Sequence, residues 1–483
     1  MTSMRRFMLA ALSLALLAVP LTASARVDAP RVVVADGKGG GSFELIGHSS
    51  LDMRGMNAAL AVHGDYAYIG SRTDGGAKPV DNGVKVVDVS DPSKPEVVHT
   101  IGEPYEDNEG ETSREMRIWH EQELLIVMNL GSNCTSYIHG CSPRGVDDNF
   151  RFYDISGKHA AEPKFVSEYV PTVNPHEMYL WEDPKNPDRA LLFLSTPGGG
   201  THLLVTDISG ARKGKFVELA KQNFIVGQGG NDNRLHSLTL TPDGKRATFG
   251  YLEAGFYVAD TSDFARGVKK PTVKLLTDPK SAPSWAEEVG PGAHSAVPLF
   301  GTDHSLVTDE VYGEALRALD SGGCPWGWTR MIDTSDPKKP KVVAEYKLPQ
   351  NDPDFCTTDA PRPSSSYSAH NPTVTENLAF VTWHSGGLQA IDVSNPTKPS
   401  QAAEFIPEPE PVVMQEDPAL SAGQDKVVMW SFPVIQDGLI YVVDLRNGLY
   451  ILKYKGPFEN EVSKVNFLEG NSNQGDAVKL GKL

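Results

Sequence analysis

Cysteine is scarce in this chain, four residues among 483, and no two stand in a C-x-x-C pair. Thiolate zinc ribbons and thioredoxin-type redox motifs are thereby excluded. Basic residues are also in deficit, 45 Lys plus Arg against 62 Asp plus Glu, for a net charge of −17. A chain of that balance does not track a phosphate backbone, so nucleic acid is not an expected partner. No G-x-S-x-G and no H-E-x-x-H occurs, and Gly39–Gly41 and Gly198–Gly200 lack the Lys-Ser/Thr of a phosphate loop. Serine hydrolases of the elbow type, zincins and P-loop enzymes lose their motif support.

Long apolar runs are missing as well, with one exception at the start. Arg5 and Arg6 precede the apolar stretch Phe7–Val19, and Ala23-Ser24-Ala25 follows as a small-residue cleavage site. That layout is a signal peptide over residues 1–25, too short in its apolar part to span a bilayer. The expected product is exported, to the periplasm, the cell surface or the medium, with no transmembrane segment after cleavage. Export allows disulfides. The local pairings are Cys134 with Cys141 and Cys324 with Cys356.

What the sequence holds in abundance is one phrase, repeated. Gly83-Val-Lys-Val-Val-Asp-Val-Ser-Asp-Pro-Ser-Lys-Pro95 returns as Phe150–Ser156, His202–Ser209, Gly255–Ser262, Thr329–Pro340 and Gly387–Pro399, with a degenerate seventh copy at Gly448–Tyr454. Each is a β-rich run that in most copies ends in an Asp-x-Ser turn. A period near 60 built of short strands predicts an all-β, seven-bladed β-propeller over 42–457. Residues 26–41 read as a flexible N-terminal segment and 458–483 as a C-terminal tail. The seventh repeat lacks a fourth strand, and Ser42–Gly47 has the outer-strand pattern of Lys341–Tyr346. An N-terminal strand over 42–50 is therefore expected to complete the last blade and close the ring. The Asp of each phrase (Asp88, Asp154, Asp207, Asp260, Asp333, Asp392) reads as a turn cap, not a calcium ligand.

The phrase resembles the LVIVD-repeat family at 84–92 and again at 329–337. The resemblance implies a secreted or surface propeller and brings no catalytic residue with it. A looser likeness, in fold and export alone, links the chain to propeller enzymes of the selenium-binding and methanethiol-oxidase group.

Aligning the inner-strand starts gives Met56-Asn57, Glu115, His176, His236, His294, His370 and Ser431, at spacings of 59, 61, 60, 58, 76 and 61. Inner strands line the channel, so four consecutive blades put an imidazole at one height around it. The start of the first strand and the end of the second share a face, which adds Arg72, Glu253, Glu310, His384 and Arg446 to the same mouth. Neutral imidazoles suit Cu, Zn, Fe or Ni, and Glu115, Glu177 and Glu310 stand ready to orient or join them. A WD-type structural histidine is the competing account of the four. The expected metal ligands are His176, His236, His294 and His370, with Glu115, Glu177, Glu253, Glu310, His384, Arg72 and Arg446 around a ligand. Three functions fit: a binding scaffold for a small molecule, a surface protein or a polysaccharide, with a metal at the channel mouth; a metal-dependent oxidoreductase or lyase using the same histidines; and a cell-surface adhesion or assembly module with an inert channel.

Overall fold

Seven antiparallel sheets, each built on one repeat, stand around a common axis in the computed structural model. It describes residues 29–72, 81, 83–102, 112–130, 148–196, 200–227, 234–285, 292–310, 324, 326–357, 366–416 and 426–472. The proposed signal peptide and the Cys134–Cys141 pair lie outside the described residues.

Blade one shows how the repeat codes its sheet. Asn57–His63 is innermost, followed outward by Tyr66–Ser71, Val84–Asp88 and Glu96–Ile101. In Val84–Asp88 the side chains of Val84 and Val86 pack in one inter-blade cluster, while Val87 and the following Val89 pack in another. Successive side chains of a strand point to opposite faces, and here both faces are covered by a neighbouring blade. That is why the phrase is apolar almost throughout instead of alternating. Its Asp then stops the strand. In all six copies the Asp Oδ1 accepts the backbone N–H two residues on, at 2.8 to 3.2 Å. These are turn caps, as the spacing predicts.

The ring closes as expected. Ser42–Ser49 pairs antiparallel with Gly448–Lys455, giving blade seven the outer strand its own repeat lacks. Two terminal segments differ from expectation. Residues 26–41 are not simply a flexible lead: Arg31–Val34 runs parallel to Lys341–Lys347 as a fifth, outermost strand of blade five. Three successive valines give that segment the β-branched character an edge strand accepts.

The C-terminal tail also has a place. Phe467–Glu469 pairs antiparallel with Val434–Gln436, the innermost strand of blade seven, and so lies inside the channel. From there Gly470 N–H donates to Thr373 Oγ1 of blade six at 3.0 Å. The Asn471 carbonyl accepts from Arg117 Nε of blade two at 3.1 Å, and Ser472 bridges to Leu180 of blade three. Glu469 is 3.2 Å from Arg117. Gly470 is required there, because a Cβ would meet the Pro372 carbonyl at 2.0 Å. The chain end thus ties four blades together along the axis.

Candidate metal centre

The repeat sets the height of the histidines. His176, His236 and His370 each donate their backbone N–H to the second strand of their own blade, at Ser195, Gly250 and Thr382 respectively, over 2.7 to 2.8 Å. Each side chain therefore leaves from an equivalent corner. His294 departs slightly: its strand, Ala293–Leu299, carries a register shift between Ala293 and Ser295, so His294 sits on a bulge. Bulges re-aim side chains next to sites.

The rings form a chain around the mouth. Centroids of His176 and His236 are 4.5 Å apart, those of His236 and His294 3.9 Å, and those of His294 and His370 4.8 Å. His384 extends it, 5.1 Å from His370 and stacked on Trp430 at 5.4 Å. His384 holds φ at 35°, a left-handed conformation that costs a non-glycine residue about 1–3 kcal/mol. All these rings are buried except that of His176, which is half-buried.

Glu310 is the hub. Its Oε2 lies 3.1 Å from His294 Nε2, and its Oε1 lies 3.2 Å from both His370 Nε2 and His384 Nε2. Neither Glu310 Oε1 nor His294 Nε2 is aligned for a hydrogen bond. The opposite ring nitrogens are occupied: His294 Nδ1 by Ser295 Oγ at 2.8 Å, His370 Nδ1 by the Trp430 carbonyl at 2.7 Å, and His384 Nδ1 by Ser366 Oγ at 3.1 Å. A carbonyl only accepts, so His370 carries its proton on Nδ1 and turns an Nε2 lone pair towards the carboxylate.

That pairing is electrostatically incomplete. Burial pushes His370 well below the ordinary imidazole range, which leaves it neutral at neutral pH. Burial alone would raise Glu310, yet His370 and His294 outweigh it and hold the carboxyl well below its ordinary range. Two acceptors 3.2 Å apart need a positive charge between them, and a cation meets the requirement without protonating a buried ring.

The other end of the arc is built differently. His176 Nε2 accepts from Arg114 Nη2 at 3.1 Å and stands 2.9 Å from His236 Nε2. Burial pushes both imidazoles well below their ordinary range, and Arg114 adds to that for each. Glu177 Oε1 is 3.5 Å from His236 Nδ1, and burial raises the Glu177 carboxyl. Among the described residues, three groups have metal-ligand spacing: His176 with Glu177 and His236; His236 with His294 and Glu310; and Glu310 with His370 and His384.

Of the remaining sequence candidates, Arg72 is buried with its guanidinium 4.5 Å above the Trp430 ring. Glu115 turns to Arg117 at 2.9 Å, Arg446 to Glu416 at 3.1 Å, and Glu253 is exposed. These last three do not join the imidazole cluster. Cys324 and Cys356 are bonded, as the local pairing predicts. Sequence alignment overlooked Arg114. A register shift between Ser113 and Glu115 inserts one residue at that corner of blade two, and it is Arg114 that reaches His176.

A family profile described as the LVIVD repeat matches residues 54–101 and 368–405, which are blade one and the part of blade six that carries His370 and His384. The chain carries LVIVD repeats in a seven-bladed β-propeller. No curated protein matches it. Among the described residues of this LVIVD propeller, no helix is long and apolar enough to cross a membrane.

Proposed function

We propose that this LVIVD-repeat propeller is an exported metal-binding protein. Its channel mouth holds a divalent first-row transition cation between His294, His370, His384 and Glu310. The observation that carries this reading is the lone pair of His370 Nε2 facing Glu310 Oε1, with His384 Nε2 at the same oxygen and both histidine Nδ1 atoms hydrogen-bonded elsewhere. Locking one ring nitrogen so that the other points inward is how proteins orient metal-bound imidazoles. Three imidazoles and a carboxylate suit Zn, Cu, Fe or Ni over Ca or Mg. Export is supported by the N-terminal signal pattern and by the Cys324–Cys356 disulfide.

Elemental analysis of the mature protein, purified without chelator or affinity tag, tests the reading. About one equivalent of a transition metal is expected, lost in His294→Ala/His370→Ala protein that still melts cooperatively. Protein that is metal-free as isolated and takes up none of the four ions on reconstitution refutes it.

A further inference from the structure

Among the described residues, several buried arginines are held by carbonyls or carboxylates, whereas Arg114 meets only a neutral imidazole. Arg54 donates to the Gly70 and Gly83 carbonyls at 2.8 and 2.9 Å and to Asn57. Arg117 lies between Glu115 and Glu469, Arg330 between Asp309 and Glu345, and Arg446 against Glu416. Arg114 is only 8% exposed, and its one hydrogen-bond partner among the described residues is the neutral His176 Nε2. Its Nε is buried with no partner. Glu177 is near enough to feel its charge but forms no ion pair with it.

A guanidinium taken out of water without a counter-charge is costly, most of all where, as on Arg114 Nε, an N–H also lacks an acceptor. The planar fork of arginine matches carboxylate and phosphate oxygens, two N–H groups to two oxygens. Arg114 also stands at a particular place. Through His176 and His236, whose rings are 4.5 Å apart, it adjoins His294 and the Glu310 cluster.

We propose that Arg114, with His176 and His236 beside it, is the subsite for an oxyanion, the carboxylate or phosphate group of a ligand that approaches the metal centre. The inference rests on the metal reading only for what lies at the ligand's other end. On this assignment the imidazole arc is divided. Its Glu310 end holds the cation, and its Arg114 end holds the anion.

Inorganic phosphate and sodium formate serve as probes, each followed by calorimetry and thermal melting on mature protein of known metal content, with chloride matched for ionic strength. At least one is expected to bind and raise the melting temperature. Arg114→Gln should weaken that binding about tenfold to a hundredfold, the loss of a charged hydrogen bond. Without anion, the same variant should melt at or above the parent, because it removes an unpaired buried charge; a merely structural arginine would lower it. Arg114→Lys should fall between. The proposal is overturned if neither probe binds, if Arg114→Gln binds as tightly as the parent, or if it melts lower with an unchanged anion response. Protein that takes up no transition metal on reconstitution yet binds an anion through Arg114 upholds the subsite and refutes the metal. Metal-replete protein indifferent to both anions does the reverse.

Discussion

Replacing Glu469 by Gln probes the segment inside the channel. Glu469 is 3% exposed, and burial pushes its carboxyl up to about 7 from an ordinary 4.5, with Arg117 opposing and Glu115 adding to the rise. Its charged neighbours are Arg117 at 3.2 Å and, on the far side of that guanidinium, Glu115. Burial would lower Arg117, yet Glu469 and Glu115 together outweigh it and keep it protonated. Arg117 therefore stays charged while the Glu469 carboxyl titrates between 4.5 and about 7. Over that interval the native chain binds a proton that the unfolded chain has released, so stability falls as pH rises. Each tenfold change in proton concentration is worth about 1.4 kcal/mol, and the whole span about 3 kcal/mol. Gln has no such proton. The stability of Glu469→Gln relative to the parent should therefore improve by about 3 kcal/mol from below pH 4.5 to above pH 7. Urea unfolding across that range measures it, and other titrations common to both proteins cancel in the difference. A gap that does not change with pH, or that favours Gln more towards acid, would show that Arg117 keeps Glu469 ionised and that burial is not the deciding effect.

Two further variants separate the structural reading from the plainer sequence one. His384→Ala should weaken transition-metal binding about a hundredfold or more, and His176→Ala less than about tenfold, by competitive chelator titration; equal losses would return the site to the four aligned histidines. Gly470→Val should drive the chain end out of the channel, because its Cβ meets the Pro372 carbonyl at 2.0 Å. With Val465 and Leu468 unburied, stability drops by about 3–6 kcal/mol, and trypsin cuts after Lys464 faster than in the parent. Unchanged cleavage would mean the segment stays seated.

The fold was readable because the repeat states it seven times. Strand limits, the Asp cap and the closing strand Ser42–Ser49 all follow from apolar runs and turn residues, which are local signals. The two segments read otherwise, Arg31–Val34 and Phe467–Glu469, attach to edges the repeat leaves open. A pairing made once, with a partner hundreds of residues away in one case, leaves no period to find. The histidines were readable for the same reason as the strands, since backbone bonds at an equivalent corner fix three of them. The company they keep was not. His384 joins through a turn at φ 35°, His294 is aimed by a bulge, and Arg114 takes its place through another. His294 and Arg114 each depend on a departure from the repeat, whereas the His384 turn recurs at Leu252 of blade four with φ 39°.

Those departures favour a working site over a structural ring. A histidine kept only for blade packing would sit in the regular register, with both nitrogens satisfied. Here the irregularities converge at one mouth of the channel. They comprise a left-handed His384, a bulged His294, a Glu310 carboxylate oxygen without a hydrogen bond and a buried Arg114 that among the described residues has no carboxylate partner. Left-handed residues, bulges and unsatisfied buried polar atoms also occur elsewhere among the described residues, but at this mouth they coincide on titratable side chains, as the proposed binding role requires. Below that mouth, the chain end occupies the channel against blades two, three, six and seven. On the proposed reading, a ligand would reach the cluster from the histidine face, where the buried guanidiniums of Arg72 and Arg114 would favour negative charge.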